Sequence, residues 1–147
     1  MVLLSYLAGL RACEIAAINV GDILSWQNDK SWDIEHEIRL DSTQTKGSKT
    51  QTVVLNSKLR AELREYLGKR PVLRQNLESP LLVTQKRTGF SSQTIQNLFR
   101  TLYQSAGIQN ASSHSGRRFF ITAKGTVTFY KKSHCPLFYG FFFKKSL

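Results

Sequence analysis

A strand-like stretch in the middle of the chain most constrains how this sequence can fold. Residues 37–43 (EIRLDST) begin with alternating polar and apolar side chains, which is the period of a half-buried strand. Residues 45–49 (TKGSK) form a polar turn with glycine near its tip, and residues 50–55 (TQTVVL) are rich in β-branched side chains. The two runs therefore predict an antiparallel β-hairpin.

Helical patterns lie on both sides of this hairpin. Residues 2–18 carry a broad apolar face that is interrupted by Gly9 and Arg11, and residues 57–67 and 91–106 are amphipathic with serines at their starts. Shorter runs, residues 22–24 and 80–84, predict additional strands. The combination predicts an α+β fold, mostly helical, with a small antiparallel hairpin sheet.

Charge is distributed unevenly along the 147 residues. Up to Glu78 the chain has 11 basic and 10 acidic residues, net +1, and after Glu78 it has 10 basic and no acidic residues, net +10, which together give the total of +11. Such an asymmetry favours a polyanionic partner, most often nucleic acid. A basic surface that only maintains solubility is the simpler alternative.

Cysteine usage and hydropathy narrow the class of protein. Cys13 and Cys135 form neither a disulfide framework nor a zinc-binding pattern. We find no signal-peptide pattern at Met1 and no apolar run long enough to span a bilayer. The sequence therefore predicts a cytoplasmic protein without a membrane partner and without a metal site.

The segment ASSHSGRRFFITAK, residues 111–124, carries a candidate anion site. His114 and Arg117 lie three residues apart and would share one face of a helix. Arginine offers a planar fork of donors to two oxygens, and histidine can transfer a proton near neutral pH. Arg118 and Lys124 add positive charge. The pattern indicates a phosphate-like ligand, and a solvated basic helix face is the alternative.

Arg11 stands among apolar neighbours in the predicted N-terminal helix. An arginine in such a place is usually ion-paired or reaches into a site. Glu14 follows three residues later and is placed to pair with it. The spacing predicts an Arg11–Glu14 pair, either purely structural or part of a site.

Two lysines, Lys46 and Lys49, lie in the turn of the predicted hairpin. Lysines at strand edges and turns deter aggregation, which is one interpretation. The other is that the hairpin brings an ammonium group to a phosphate.

Three segments occur in an order that is typical of one family: GLRACEIAAINVGDI from Gly9, TKGSKTQTVVL from Thr45, and HSGRRFFIT from His114. Together they resemble the catalytic domain of tyrosine recombinases, the phage integrase family, which has a GLR-x-x-E opening, a hairpin lysine and a later H-x-x-R segment. The resemblance covers residues 2–124. It implies the mostly helical tyrosine-recombinase catalytic core with its small antiparallel β-hairpin sheet.

The resemblance also implies roles for the candidate residues. The expected catalytic set is Arg11, Lys46, His114 and Arg117. Glu14 would support Arg11, and the expected DNA-binding residues are Lys49, Arg118 and Lys124. Such enzymes cut one strand of duplex DNA through a 3′-phosphotyrosine, use neither metal nor other cofactor, and in full-length form act with other recombinase protomers on DNA.

The sequence departs from the family pattern in two places. Ser115-Gly116 stands where the family usually has Asp-Leu, and this glycine is expected to loosen the helix start. After Lys124 no Leu-Gly-His box follows, and Tyr130 and Tyr139 come too early for the nucleophile. We therefore predict a partial catalytic domain over residues 1–125 and an unrelated tail over 126–147, as a frameshift or truncation would produce. No residue, Tyr139 included, is predicted as nucleophile.

Three functions remain open at this point. The first is a tyrosine-recombinase catalytic fragment, truncated at both ends and inactive because the nucleophilic tyrosine is missing. The second is a non-catalytic DNA-binding module that keeps the phosphate grip. The third is a basic interaction domain for RNA or another acidic partner.

Overall fold

The structure is a computed structural model that describes residues 1–28, 31–45 and 49–129. Its helices are α1 (Val2–Ala8), α2 (Ala12–Ala17), α3 (Ser57–Gly68), α4 (Pro71–Arg74), α5 (Ser92–Ser105) and α6 (Ser115–Phe129), with a short 3₁₀ helix at Val20–Asp22. Its strands are β1 (Leu24–Asn28), β2 (Ser31–Ile34), β3 (Glu37–Leu40) and β4 (Gln51–Val54). Helices and two small antiparallel sheets thus make up the predicted α+β fold.

The predicted hairpin is confirmed as the pair β3 and β4. The strands run antiparallel, with Ile38 opposite Val53 and Leu40 opposite Gln51. The side chains of Ile38 and Leu40 are fully buried, so the alternation in the sequence does mark the core-facing side. A second hairpin joins β1 and β2, whereas the sequence predicted only a short strand over residues 22–24 in this region.

The prediction of one N-terminal helix over residues 2–18 was wrong, because the chain breaks between α1 and α2. Gly9 ends α1 in the left-handed conformation, with φ 68° and ψ 23°. This conformation is accessible to glycine at little cost. Arg11 is extended, with φ −77° and ψ 158°, and precedes the first residue of α2. The break therefore places Arg11 at the start of a helix.

Two smaller predictions also differ from the structure. The run at residues 80–84 forms no strand and makes only isolated bridges, such as Asn19 with Pro80. Helix α3 is capped by Asn56, whose side-chain Oδ1 accepts the Leu59 N–H at 2.8 Å, so the cap lies one residue before the predicted Ser57.

One hydrophobic core joins these elements. α1 packs against α6 and α2 against α5. The large side chains that are fully buried are Leu4, Leu10, Ile15, Ile18, Ile23, Ile34, Ile38, Leu40, Leu59, Leu67, Leu81 and Phe99. Because this core includes α1, α2, α5 and both hairpins, it fixes the ends of the helices that carry the predicted site.

Helix α6 crosses the predicted domain boundary at residue 125 and continues to Phe129. The rest of the predicted tail, with Tyr130 and Tyr139, lies outside the described residues. In the part that the structure describes, no helix has both the length and the hydropathy to cross a membrane.

Candidate active site

The site begins at the break between α1 and α2. The Arg11 carbonyl accepts the Ile15 N–H at 2.9 Å, which is the first hydrogen bond of α2. Glu14, three residues into the helix, accepts the Arg11 backbone N–H through Oε2 at 2.8 Å. Its Oε1 accepts from Arg11 Nη1 at 2.6 Å. The same carboxylate thus caps the helix start and holds the guanidinium.

A second arginine reaches this carboxylate from α6. Arg117 Nη1 donates a hydrogen bond to the Gly9 carbonyl and lies 3.8 Å from Glu14 Oε2. The Glu14 side chain is 0% exposed, whereas Arg11 and Arg117 are 32% and 21% exposed. The structure therefore brings Arg11 and Arg117, which are distant in sequence, to one buried anion.

The charges around Glu14 do not cancel. One carboxylate stands against two guanidinium groups, so the cluster carries one excess positive charge. A guanidinium has five N–H donors, and among the described residues these contacts occupy only Nη1 of each arginine. Because both side chains are partly exposed, the cluster can take up a further anion.

His114 lies immediately before α6 and not within it. Its carbonyl accepts the Arg118 N–H at 2.8 Å, so His114 occupies the cap position of the helix. A turn fixes this position: the Ser112 carbonyl accepts the Ser115 N–H at 2.9 Å, and Ser115 Oγ accepts the Ser112 N–H at 2.9 Å. The His114 side chain is exposed at the entry to the helix that carries Arg117.

The structure describes the predicted DNA-binding residues and the predicted catalytic Lys46 to different extents. Lys49 and Arg118 are exposed. Lys46 lies outside the described residues, and although α6 includes Lys124, the side chain of Lys124 is outside the described part.

Gln44 connects the base of the lysine-bearing turn to α2. Its Nε2 donates to the Ala17 carbonyl at 2.9 Å and to Asp22 Oδ2 at 3.0 Å. Thr45 Oγ1 donates to the Lys49 carbonyl at 2.6 Å across the ends of the turn. Since α2 begins just after Arg11, these bonds tie the turn to the same short helix as the arginine cluster.

Sequence reasoning missed two members of this site. The Gly9 carbonyl is a partner of Arg117, and the glycine within an apolar helical run was the available signal. Gln44 carried no such signal, because its partners lie more than 20 residues away in the chain.

Tyr103 of α5 is partly buried and packs against the hydrophobic core. Its ring stacks against Phe99 with 6.0 Å between centroids. Burial raises the pKa of the Tyr103 hydroxyl above its usual range, although a hydrogen bond from the Gly116 backbone opposes this shift. Its hydroxyl therefore stays protonated at neutral pH.

Comparisons with known proteins show which family and which fold the chain shares. The model of the phage integrase family matches residues 1–123. The comparison with curated protein sequences finds no significant match.

Several solved structures share the fold. The crystal structure of XerA recombinase matches with a TM-score of 0.62 and 25% identity, over 83% of this chain and 40% of that one. The integrase from mycobacterium phage Brujita matches with a TM-score of 0.54 and 22% identity, over 83% of this chain and 35% of that one. The Tn1549 transposon integrase, solved in complex with circular intermediate DNA, matches with a TM-score of 0.60 and 13% identity, over 89% of this chain and 46% of that one. The chain thus spans less than half the length of each of these proteins.

Proposed function

Because the chain belongs to the phage integrase family, we propose that it is part of a tyrosine-recombinase catalytic domain and grips a phosphodiester of duplex DNA with Arg11 and Arg117. The observation that carries the proposal is the convergence of both guanidiniums on buried Glu14. In a purely structural ion pair one arginine would suffice. The second leaves excess positive charge and unused donors for an external anion.

The chemistry of strand exchange suits this cluster. Attack on a phosphodiester concentrates negative charge on the two non-bridging oxygens. Two arginines held against a fixed carboxylate are preorganised, so little reorganisation is needed as that charge develops. Glu14 would orient the guanidiniums without touching the DNA.

The remaining family roles are part of the proposal. Lys46 would protonate the leaving 5′-oxygen, and His114 would assist proton transfer. Both roles follow from the resemblance in sequence. The exposed side chain of His114 at the start of α6 supports the role proposed for it in proton transfer. The reaction of the family would cut and rejoin DNA through a 3′-phosphotyrosine.

We further propose that this chain binds DNA without cutting it. Tyr130 and Tyr139 are the only tyrosines after the H-x-x-R segment, and neither stands in the family's context. Stabilising a pentacoordinate phosphate without a nucleophile leaves the bond-making step undone.

Duplex DNA is proposed as the partner on two grounds. The chain carries ten basic and no acidic residues after Glu78. A protein of similar fold, the Tn1549 transposon integrase, was solved with DNA. Binding through phosphates implies weak sequence preference and steep salt dependence, because condensed counterions are released.

A salt titration of DNA binding tests the proposal. We expect fluorescence anisotropy with a random-sequence duplex to give affinities that fall steeply with salt. Arg117→Gln should lower the slope of log affinity against log salt by about one, as the loss of one phosphate contact predicts. Lys69→Gln is the matched control, since Lys69 is an exposed cation paired with Glu65 on α3. Salt-independent binding, or equal slopes for both variants, would contradict the proposed function.

A further inference from the structure

Helices α1 and α6 approach each other so closely at Gly116 that any side chain there would be crowded. A Cβ added to Gly116 of α6 would lie 2.8 Å from Ser5 Oγ and 3.2 Å from Ser5 Cβ on α1. Real Cβ atoms are almost never as close as 2.8 Å to another heavy atom, and 3.2 Å is tighter than most of their contacts. The hydroxyl can rotate away, whereas the Cβ of Ser5 moves only with α1, so a larger residue at position 116 would displace the two helices by a few tenths of an ångström.

A second close contact lies one helical turn further along both helices. A Cβ added to Gly9 would lie 2.4 Å from the ring of Phe120, and Gly9 also has the positive φ of 68°. Gly9 follows Ser5 by four residues, and Phe120 follows Gly116 by four. The two contacts are therefore reciprocal: a glycine of each helix receives a side chain of the other.

Arg117 stands between these two contacts. It follows Gly116 in the chain, and its Nη1 donates to the carbonyl of Gly9. A shift of α6 along or away from α1 would move the guanidinium relative to both Gly9 and Glu14. At the present 3.8 Å between Arg117 Nη1 and Glu14 Oε2, any such shift changes the attraction between the two charges.

We propose that the Ser5–Gly116 contact positions Arg117, by setting the height and distance of α6 against α1. Ser5 and Gly116 act through the helix and touch no ligand. The proposal rests on the proposed function only in so far as Arg117 contacts a phosphate.

The side chain of Ser5 is consistent with this role. It is 0% exposed, and its Oγ has no hydrogen-bond partner among the described residues. A buried hydroxyl without a partner is unfavourable. Polarity is therefore not what this position requires. Its small volume is what permits the approach of α6.

The decisive experiment combines substitutions on both helices. In Gly116→Ala we expect the salt slope of DNA binding to fall by about one, as in Arg117→Gln, because the guanidinium no longer reaches its position. Adding Ser5→Gly removes the side chain that the new Cβ meets, and the double variant should recover the wild-type slope. Gly68→Ala is the control, since nothing lies within 4 Å of a Cβ at Gly68.

A measurement without DNA separates the two proposals. The side-chain N–H signals of Arg117 in ¹⁵N NMR should shift in Gly116→Ala, return in the Ser5→Gly/Gly116→Ala variant, and remain unchanged in Gly68→Ala. If wild-type binding does not depend on Arg117 but these signals respond, the proposed function fails and the positioning role stands.

Stability alone does not decide the question, because alanine favours a helix more than glycine does and so offsets the cost of the crowded contact. If Gly116→Ala does not fold, folding and binding of the double variant support the proposal. A double variant that remains unfolded, or that folds without recovering the slope and the Arg117 signals, overturns it. Wild-type slope and signals in Gly116→Ala itself also overturn it.

Discussion

Glu14 is a fully buried carboxylate whose two oxygens face two guanidinium groups and one backbone N–H. Burying a carboxylate is costly unless its charge is matched and its oxygens accept hydrogen bonds. Here two positive charges, those of Arg11 and Arg117, face the single negative charge of Glu14. The residue therefore serves the fold and the proposed phosphate grip at once.

Glu14→Gln should be strongly destabilising. The amide keeps the shape but leaves two guanidiniums close together without their anion, and breaking a buried ion pair typically costs about 3–5 kcal/mol. Urea denaturation measures this as a lower midpoint. Glu62→Gln is the control, because Glu62 is exposed on α3 and a surface change of this kind stays within about 0.5 kcal/mol. Equal midpoints for the two variants would show that Glu14 is not needed for folding.

At the residue scale, local spacing was sufficient for only part of this cluster. The Arg11–Glu14 pair could be predicted because residues three apart meet at a helix start. The approach of Arg117 could not be derived from spacing, since α6 reaches Glu14 only through tertiary packing. It was the ordered family motifs that pointed to Arg117.

Among the elements, β2 and α3 are linked through the Asp33 carboxylate and through the Ile34 carbonyl, which accepts two hydrogen bonds from Arg60. Asp33 of β2 accepts the Ile34 N–H at 2.7 Å and pairs with Arg64 at 3.1 Å and Arg60 at 3.5 Å on α3. The hydrogen bond from the backbone N–H, and then the two arginines, lower the pKa of Asp33 below that of a free aspartate. The contacts of Asp33 with Arg60 and Arg64 therefore stabilise the folded protein while Asp33 is ionised.

This link predicts a dependence of stability on pH. A carboxyl whose pKa is lower in the folded state adds stability above the unfolded pKa, and loses it as pH falls through the folded one. Asp33→Asn should therefore lower the melting temperature at neutral pH, and the difference from wild type should shrink as the pH falls below the ordinary pKa of an aspartate. Thermal melts over a pH series measure it, with the exposed Asp41→Asn as control. A difference that persists unchanged at low pH would contradict the assignment.

Element boundaries were predicted where the signal was local. The β3–β4 hairpin followed from alternation in the sequence. The cap of α5 followed from the preference of serine for helix starts, and Ser91 Oγ does accept the Thr94 N–H at 3.1 Å. The break after α1 was missed because apolar spacing continues across Gly9 even though the backbone turns. The β1–β2 hairpin was missed because both of its strands carry several polar residues, so only residues 22–24 were predicted as a strand there.

The prediction for Ser115-Gly116, where the sequence departs from the family pattern, was likewise limited to local sequence. Glycine was expected to loosen the start of α6, because it gains more backbone freedom than other residues in the unfolded chain. In the structure Gly116 lies within α6 and faces Ser5. Its tertiary neighbour, which no local pattern contains, accounts for a glycine at this position.

For the whole molecule, the uneven charge predicts how much of the DNA affinity depends on the basic residues beyond residue 129. Four of the ten basic residues after Glu78 lie beyond residue 129: Lys131, Lys132, Lys144 and Lys145. Replacing all four with glutamine lowers the net charge from +11 to +7. DNA affinity at low salt should fall without being lost, because the arginine cluster remains. Complete loss, or no change, in anisotropy titrations would contradict this division.

The chemistry of the whole chain is the last prediction. A nicked suicide substrate traps any covalent protein–DNA adduct, and we expect none to form with this chain. The proposed stabilisation by Arg11 and Arg117 would lower the barrier only for an attack that some hydroxyl makes. Tyr130 and Tyr139 do not stand in the family's sequence context for the nucleophile, so we expect neither to substitute.

A covalent adduct would contradict the proposal that this chain binds DNA without cutting it. An adduct that Tyr139→Phe abolishes would mean that the chain is a compact, working recombinase. If no adduct forms, the residues after Lys124 can be replaced by an integrase segment that contains the Leu-Gly-His box and the tyrosine. An adduct in that chimera, lost again in Arg117→Gln, would identify residues 1–124 as a catalytic fragment. A chimera that binds DNA but stays inert would instead favour a non-catalytic DNA-binding module, because the grip would then exist without the alignment that catalysis requires.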